Sequence, residues 1–237
     1  MASQGIAMTL QQYDWLLFDA DETLFSFDAF AGLQKLFQGY RVDFSQQDYE
    51  HYQALNKPLW DAYQAGTIDA KQLQRKRFAH WAAKLGVSAD QLNTGFMAAM
   101  AEICQPLEGA RSLLESARQS AKVGIVTNGF TELQEARLQQ TGLRELVDLV
   151  VISEQVGVAK PAPEIFAYAL KEMQQPQRER VLMTGDNPHS DIVGAQRSGL
   201  HACWLNHHGA AFPLVEPPHY EVRSLPELQR LLLSSEK

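Results

Sequence analysis

The chain has 237 residues, the composition of an ordinary folded protein and a formal net charge of −7, enough for one sizeable core with a smaller accessory unit. The acidic balance argues against a nucleic-acid polymer as partner, because a phosphate backbone rewards clustered Lys and Arg, but it leaves small anions open to a site that supplies its own positive charge. Two cysteines, Cys104 and Cys203, lack metal-ligand spacing and adjoin apolar residues, which excludes a disulfide framework and reads as reduced, buried thiols.

Met1 to Gln12 contains no Lys or Arg and only a brief apolar stretch. It is expected to be a loose extension rather than a signal peptide, which places the chain in the cytoplasm. No stretch reaches membrane-span length. Trp15 to Phe18 then reads as a buried strand, followed at once by Asp19-Ala20-Asp21-Glu22-Thr23. The two-residue period of extended backbone points Asp19 and Asp21 the same way. Adjacent carboxylates are costly to bury unless a cation or a proton offsets them, so the pair suggests a divalent-metal site or a nucleophile beside a general acid.

About a hundred residues separate this strand from the next apolar one, and their spacing is helical. Phe30, Leu33 and Phe37 mark one helix. Ser45 with Asp48 resembles a capping box, and Tyr49, Tyr52, Leu55 and Leu59 line an apolar face behind it. Leu73, Phe78, Trp81 and Leu85 mark a third helix ending at Gly86. Ser88 with Gln91 starts a fourth, carrying Leu92, Phe96 and Met100, before Pro106 and Gly109 close the segment. The simplest account is an all-helical cap at 27–104 inserted after strand one, with a core at 12–26 and 105–237. An insertion over the carboxyl end of a sheet can cover a site.

The core resumes with a helix around Leu113 and Leu114. Strands are expected at Val123 to Val126, Leu149 to Ile152, Val181 to Met183 and Ala202 to Leu205. Between them, Thr131 with Gln134 is expected to cap a helix bearing Leu133 and Leu138. Ala162-Pro163-Glu164 opens another, Gln174 to Arg180 reads as a loop, and Ser224 starts the last helix. Apolar strands alternating with helices give an α/β class, a doubly wound, Rossmann-like parallel sheet with the helical cap inserted in it.

Such sheets bind ligands beyond the carboxyl ends of their strands. Those ends carry Asp19 to Thr23, then Thr127-Asn128-Gly129, then Lys160-Pro161 in the loop after strand three, then Gly185-Asp186-Asn187 with Asp191. Taken singly, a lone Lys is a solvated charge and Thr-Asn is a turn; the ordered set is far more specific. Asp19 and Asp186 together with phosphate oxygens suit Mg²⁺ or Mn²⁺, with Asp191 behind them. Thr127 and Lys160 can donate to phosphate oxygens, and Thr23 can hold phosphate or orient Asp21. One carboxylate can attack phosphorus while a second handles the proton.

Phe18-Asp19-Ala20-Asp21-Glu22-Thr23-Leu24, Thr127-Asn128-Gly129, Lys160-Pro161 and Gly185-Asp186-Asn187 with Asp191 resemble the four motifs of the haloacid dehalogenase superfamily, specifically its phosphatases with a helical cap. The resemblance implies Asp19 as nucleophile, Asp21 as general acid/base, and Thr127 and Lys160 on the transferring phosphoryl group. It also implies Asp19, the Asp21 backbone carbonyl and Asp186 as metal ligands, with Asp191 in support. Glu22 stands where most such proteins have Gly. Together with Asn56-Lys57-Pro58-Leu59-Trp60 and Ile125 to Phe130, the motifs resemble the bacterial pyrimidine 5'-nucleotidase branch, which implies a nucleoside monophosphate as substrate. Monomer and homodimer both stay open.

Asp21 argues against a dehalogenase, since halide leaves without a proton and the dehalogenase branch lacks this second Asp. A sugar-phosphate phosphatase, a phosphomutase and a non-catalytic interaction protein on the same scaffold are the alternatives. In the cap, Asn56 and Lys57 are the polar candidates for substrate contact. Phe25, Phe27, Trp60 and Tyr63 are candidate stacking residues that packing alone would also explain. Asn128 and Gly129 are expected at the phosphate. His207 and His208 are expected to face solvent, because the carboxylates already complete a metal site.

Overall fold

The computed structural model describes residues 12–234, so the expected N-terminal extension lies almost wholly outside the described residues. Six parallel strands form one sheet in the order β3-β2-β1-β4-β5-β6. They are β1 (Trp15–Phe18), β2 (Lys122–Thr127), β3 (Leu149–Ile152), β4 (Val181–Gly185), β5 (His201–Leu205) and β6 (Tyr220–Val222). Five match the expected runs. Residues 220–222 escape sequence reading because three residues with Glu in the middle give neither an apolar run nor a usable alternation. The fully buried β1 lies between β2 and β4, where the chain's path across the sheet reverses, so the ends of these three strands border one crevice.

Four helices follow β1: α1 (Ala29–Gln38), α2 (Gln46–Gln64), α3 (Ala70–Leu85) and α4 (Ala89–Ile103). Ser45 with Asp48 and Ser88 with Gln91 form the expected capping boxes. Asp69 with Gln72 forms a third, and Gly86 takes the left-handed C-terminal position at φ 67°. The four pack around their own apolar centre, in which Phe37 stacks on Phe44 with ring centroids 4.8 Å apart and Trp81 closes the group. The expected apolar face of α2 packs into this centre at Tyr49, Tyr52 and Leu59 but not at Leu55. Tyr52 is buried, but Leu55 is 41% exposed. Beside that face runs a stripe of Tyr52, Asn56, Trp60 and Gln64, which all line a cavity. Its two amides disguise it as a surface pattern.

The crossings between sheet and cap lie side by side. Ser26 donates its N–H to the Gln105 carbonyl at 2.9 Å, and Leu107 donates to Leu24 at 2.9 Å. A second fastening forms where α2 and α3 meet the core. The Tyr63 hydroxyl donates to Ser153 Oγ at 2.7 Å, and Gln74 donates to Glu154 Oε1 at 2.7 Å.

The remaining helices are α5 (Ala110–Ala117), α6 (Thr131–Gln140), the short α7 (Ser153–Val156), α8 (Pro163–Glu172), α9 (Val193–Arg197) and α10 (Leu225–Leu233). They cover both faces of the sheet with two separate apolar groups. The expected Thr131 cap does not form. Thr131 is already the first helical residue, its N–H donates to Glu154 Oε2 at 2.8 Å, and Gln134 turns inward to a different partner. The 174–180 loop is as expected apart from a short helical turn at Arg178–Arg180. Cys104 and Cys203 are free and buried. Among the described residues no helix is long and apolar enough to cross a membrane.

Candidate active site

A cavity of about 250 Å³ lies between the strand ends and the cap. Asp19, Asp21, Thr127, Asn128, Gly129, Lys160 and Asp186 border it from the core, and Tyr52, Asn56, Trp60, Arg77 and Phe96 from the cap. The sequence expectation of one shared crevice for Asp19 and Asp21 is met, but by a different backbone. The strand ends at Phe18, the chain then turns, and the amides of Leu24 and Phe25 both donate to Ala20. Each carboxylate consequently faces its own cation.

Lys160 Nζ donates to Asp19 Oδ1 at 2.6 Å and lies 2.7 Å from Asp191 Oδ1, with the lysine side chain 1% exposed. Burial pulls this ammonium's pKa down, but the two carboxylates outweigh it and hold the pKa above the ordinary lysine range. The loop that delivers it is tied on both sides to one amide. Lys160 N–H donates to Asn128 Oδ1 at 2.7 Å, and Asn128 Nδ2 donates to the Lys160 carbonyl at 2.9 Å. Asn128 therefore borders the cavity with both ends of its amide engaged by Lys160. Thr127 is buried, and its Oγ1 accepts the Gly129 N–H at 3.1 Å. A Cβ at Gly129 would sit 2.0 Å from Gln134 Nε2, so any side chain there would displace the Gln134 amide.

Asp21 Oδ1 accepts from Arg137 Nη1 at 2.6 Å. Arg137 was not singled out in the sequence, where an Arg on a polar helix looks like a surface charge. It is 1% exposed. Its Nε and Nη2 donate to Gln134 Oε1 at 3.0 and 2.6 Å, and its guanidinium lies 4.5 Å from the Phe25 ring. Phe25 thus supports Arg137 from beneath and does not border the cavity. The Gln134–Arg137 spacing on one helix was the only legible signal.

The metal candidates meet at the end of β4. Carboxylate oxygens of Asp19, Asp186 and Asp191 lie within 4.8 Å of one another. Burial raises the Asp19 carboxyl, Lys160 opposes that, and Asp191 and Asp21 add to it; it stands at about 7 against an ordinary 3.8. Asp186 is raised to about 8, first by burial and then by Asp191 and Asp19. Oxygen-only donors that hold protons this tightly fit a hard divalent cation such as Mg²⁺ or Mn²⁺. Asp191 is occupied on several sides: it meets Lys160, accepts from Ser190 at 3.1 Å and accepts the Asn187 N–H at 3.0 Å. Gly185 makes room for it, because a Cβ there would come within 2.2 Å of Asp191 Oδ2. Thr23 is buried and turned toward Asp186, donating to Oδ1 at 3.3 Å and accepting the Asp186 N–H at 3.1 Å.

Raised carboxyl values set a direction for stability. Between the unfolded value near 3.8 and the folded values of about 7 and 8, the metal-free folded state binds more protons than the unfolded one. These groups therefore make metal-free stability fall as pH rises through that window, and a cation at the carboxylates reverses the loss. A fixed Mg²⁺ concentration, about a hundred times the Kd at pH 8, is expected to raise Tm by roughly 5–10 °C at that pH, with a smaller shift at pH 6, where protons compete for the carboxylates. A differential scanning calorimetry series in which the shift does not depend on pH would contradict this reading.

Glu22 lies in the left-handed region at φ 53°, which costs a non-glycine residue about 1–2 kcal/mol. The side chain offsets this by accepting the Phe27 N–H at 2.6 Å, and so fastens the start of the cap. Phe27 and Trp60 border the cavity, while Tyr63 is spent on Ser153. Lys57 is exposed and outside the cavity lining, about 100° around α2 from Asn56. His207 and His208 are exposed as expected, with His207 Nε2 2.9 Å from the Glu22 carbonyl.

Residues 13–199 match the haloacid dehalogenase-like hydrolase family. The pyrimidine 5'-nucleotidase YjjG of Escherichia coli (strain K12) is 54% identical over 221 residues, covering 93% of this chain and 98% of that protein. The pyrimidine 5'-nucleotidase PynA of Streptococcus pneumoniae is 32% identical over 221 residues, covering 91% and 93%. The magnesium-bound HAD-hydrolase YfnB of Bacillus subtilis superposes with a TM-score of 0.81 at 30% identity, covering 93% of this chain and 98% of that one. The chain belongs to the haloacid dehalogenase-like hydrolases and is closely related to their bacterial pyrimidine 5'-nucleotidases.

Proposed function

We propose that this metal-dependent phosphomonoesterase removes phosphate from pyrimidine nucleoside 5'-monophosphates by way of an aspartyl-phosphate at Asp19. The observation that carries the reading is the single cavity joining the Asp19–Lys160 pair to the rings of Tyr52, Trp60 and Phe96. A phosphate held at one end leaves a flat base at the other. The relationship to YjjG and PynA supports the same substrate class.

In this reading Lys160 and Thr127 hold two phosphoryl oxygens, and Lys160 balances the charge of Asp19. An Asp19 oxygen forms a bond to phosphorus as the bond to the ester oxygen breaks, and Asp21 gives that oxygen its proton. Asp21 then takes a proton from water as the water oxygen bonds to phosphorus. The Asp19 carboxylate leaves, and inorganic phosphate is released. A divalent ion held by Asp19, Asp186 and the Asp21 carbonyl would neutralise charge on the transferring group. The cap excludes bulk water while the ester is in place. The free buried cysteines support a cytoplasmic setting.

A phosphate-release screen with Mg²⁺ and Mn²⁺ over nucleoside monophosphates and sugar phosphates tests the assignment. Uridine and thymidine monophosphates are expected to exceed ribose 5-phosphate in kcat/KM by at least tenfold. A flat profile, or a preference for a sugar phosphate, would overturn the pyrimidine reading.

A further inference from the structure

We infer that Arg77 and Asn56 read the edge of the substrate's base, Arg77 donating to a ring carbonyl and Asn56 accepting from the neighbouring ring N–H. The inference rests on the nucleotidase reading above and assigns its specificity to two residues.

Arg77 comes from α3 and is 3% exposed. Its guanidinium carbon lies 5.2, 5.2 and 5.0 Å from the ring centres of Phe78, Phe96 and Phe130. Nη2 donates to Asn93 Oδ1 and the guanidinium also meets the Tyr52 hydroxyl, yet Nε is buried with no hydrogen-bond partner. Among the described residues no carboxylate pairs with Arg77, in contrast to Arg137 and Lys160. A buried cation without a counter-charge is a poor way to fill space, and an apolar side chain of similar volume would fill it at lower cost. Asn56 from α2 also holds a buried polar atom without a partner, Oδ1. The two residues, from separate cap helices, border the same cavity.

Their chemistry selects the ligand. Arginine only donates, so it needs an acceptor, and a ring carbonyl supplies one. The Asn56 oxygen needs a donor. The aromatic surfaces of Tyr52, Trp60 and Phe96 call for a flat ring between them. A six-membered heterocycle with a carbonyl next to a ring N–H, as in uracil and thymine, satisfies all three. A sugar phosphate offers hydroxyls at flexible positions and leaves the rings unmatched. Buried groups that lose a partner reject an incomplete ligand strongly.

The test measures kcat/KM for uridine 5'-monophosphate, N3-methyluridine 5'-monophosphate and ribose 5-phosphate on the metal-loaded wild type and on Arg77→Met and Asn56→Leu. The wild type is expected to prefer uridine over its N3-methyl analogue by about tenfold or more, since the methyl group removes the donor. Asn56→Leu should bring that ratio close to one. Arg77→Met should lower the ratio of uridine monophosphate to ribose 5-phosphate by about tenfold, through KM more than kcat. If Arg77→Met proves insoluble, the N3-methyl comparison on wild type and Asn56→Leu decides. A wild type without preference for uridine monophosphate over ribose 5-phosphate overturns the nucleotidase reading and this inference with it. A wild type that has the preference, while both variants retain every ratio, overturns this inference alone.

Discussion

Asp19→Asn is expected to lower kcat by at least about 10⁴-fold in a protein that remains folded. The substitution keeps shape and keeps an oxygen for Lys160, which retains Asp191 as a second partner 2.7 Å away. It removes the electron pair that attacks phosphorus and one of the carboxylates at the candidate metal site. It also removes one of the buried charges that burial and Asp191 hold at a raised pKa. The metal-free variant is therefore expected to melt no lower than wild type at pH 8, although its affinity for Mg²⁺ falls. Steady-state kinetics on uridine monophosphate, alongside a thermal melt, checks both halves. Near-normal turnover in the purified variant would remove Asp19 as nucleophile.

Asp21→Asn gives the second large effect, and the leaving group shapes it. An alkoxide such as a ribose O5' departs poorly without a proton, so turnover of uridine monophosphate is expected to fall by about 10²–10⁴-fold. p-Nitrophenolate needs no proton to leave. That ester should still phosphorylate the variant, giving a burst of one nitrophenolate per active site, followed by a slow phase set by unassisted attack of water. Stopped-flow absorbance resolves the two. An equal loss on both esters with no burst would mean that Asp21 does not move the proton. Arg137 enters here as a positioning residue, because its Nη1 fixes the Asp21 carboxylate while Gln134 and Phe25 fix Arg137. Arg137→Met is expected to repeat the leaving-group pattern at about tenfold amplitude.

Much of the core was legible because each of its main signals is local. β1 is four apolar residues followed by a carboxylate, and the capping boxes at Ser45 and Ser88 each sit within four positions. The Asp, Thr, Lys and Asp that gather at the crevice are each announced by the strand or loop before them. What escaped depends on which way a helix faces. Arg137 and Arg77 lie on helices whose residue order gives no hint that a guanidinium points inward, and both are held there by groups distant in sequence. The cavity-lining stripe of α2 was missed for the same reason, since Asn56 and Gln64 are polar because they border a cavity. The extended Asp19–Asp21 backbone failed because the turn is made by Leu24 and Phe25 donating back to Ala20, a closure that side-chain periodicity does not record. The Thr131 cap failed to a competitor from another element, Glu154.

The most direct test of the covalent route at Asp19 is the stereochemical course at phosphorus. A uridine 5'-monothiophosphate made chiral with oxygen isotopes is turned over in isotopically labelled water, and the configuration of the released thiophosphate is determined. Two successive in-line displacements, first by Asp19 and then by water, give net retention. Inversion would mean that water attacks the nucleotide directly, and would contradict the account.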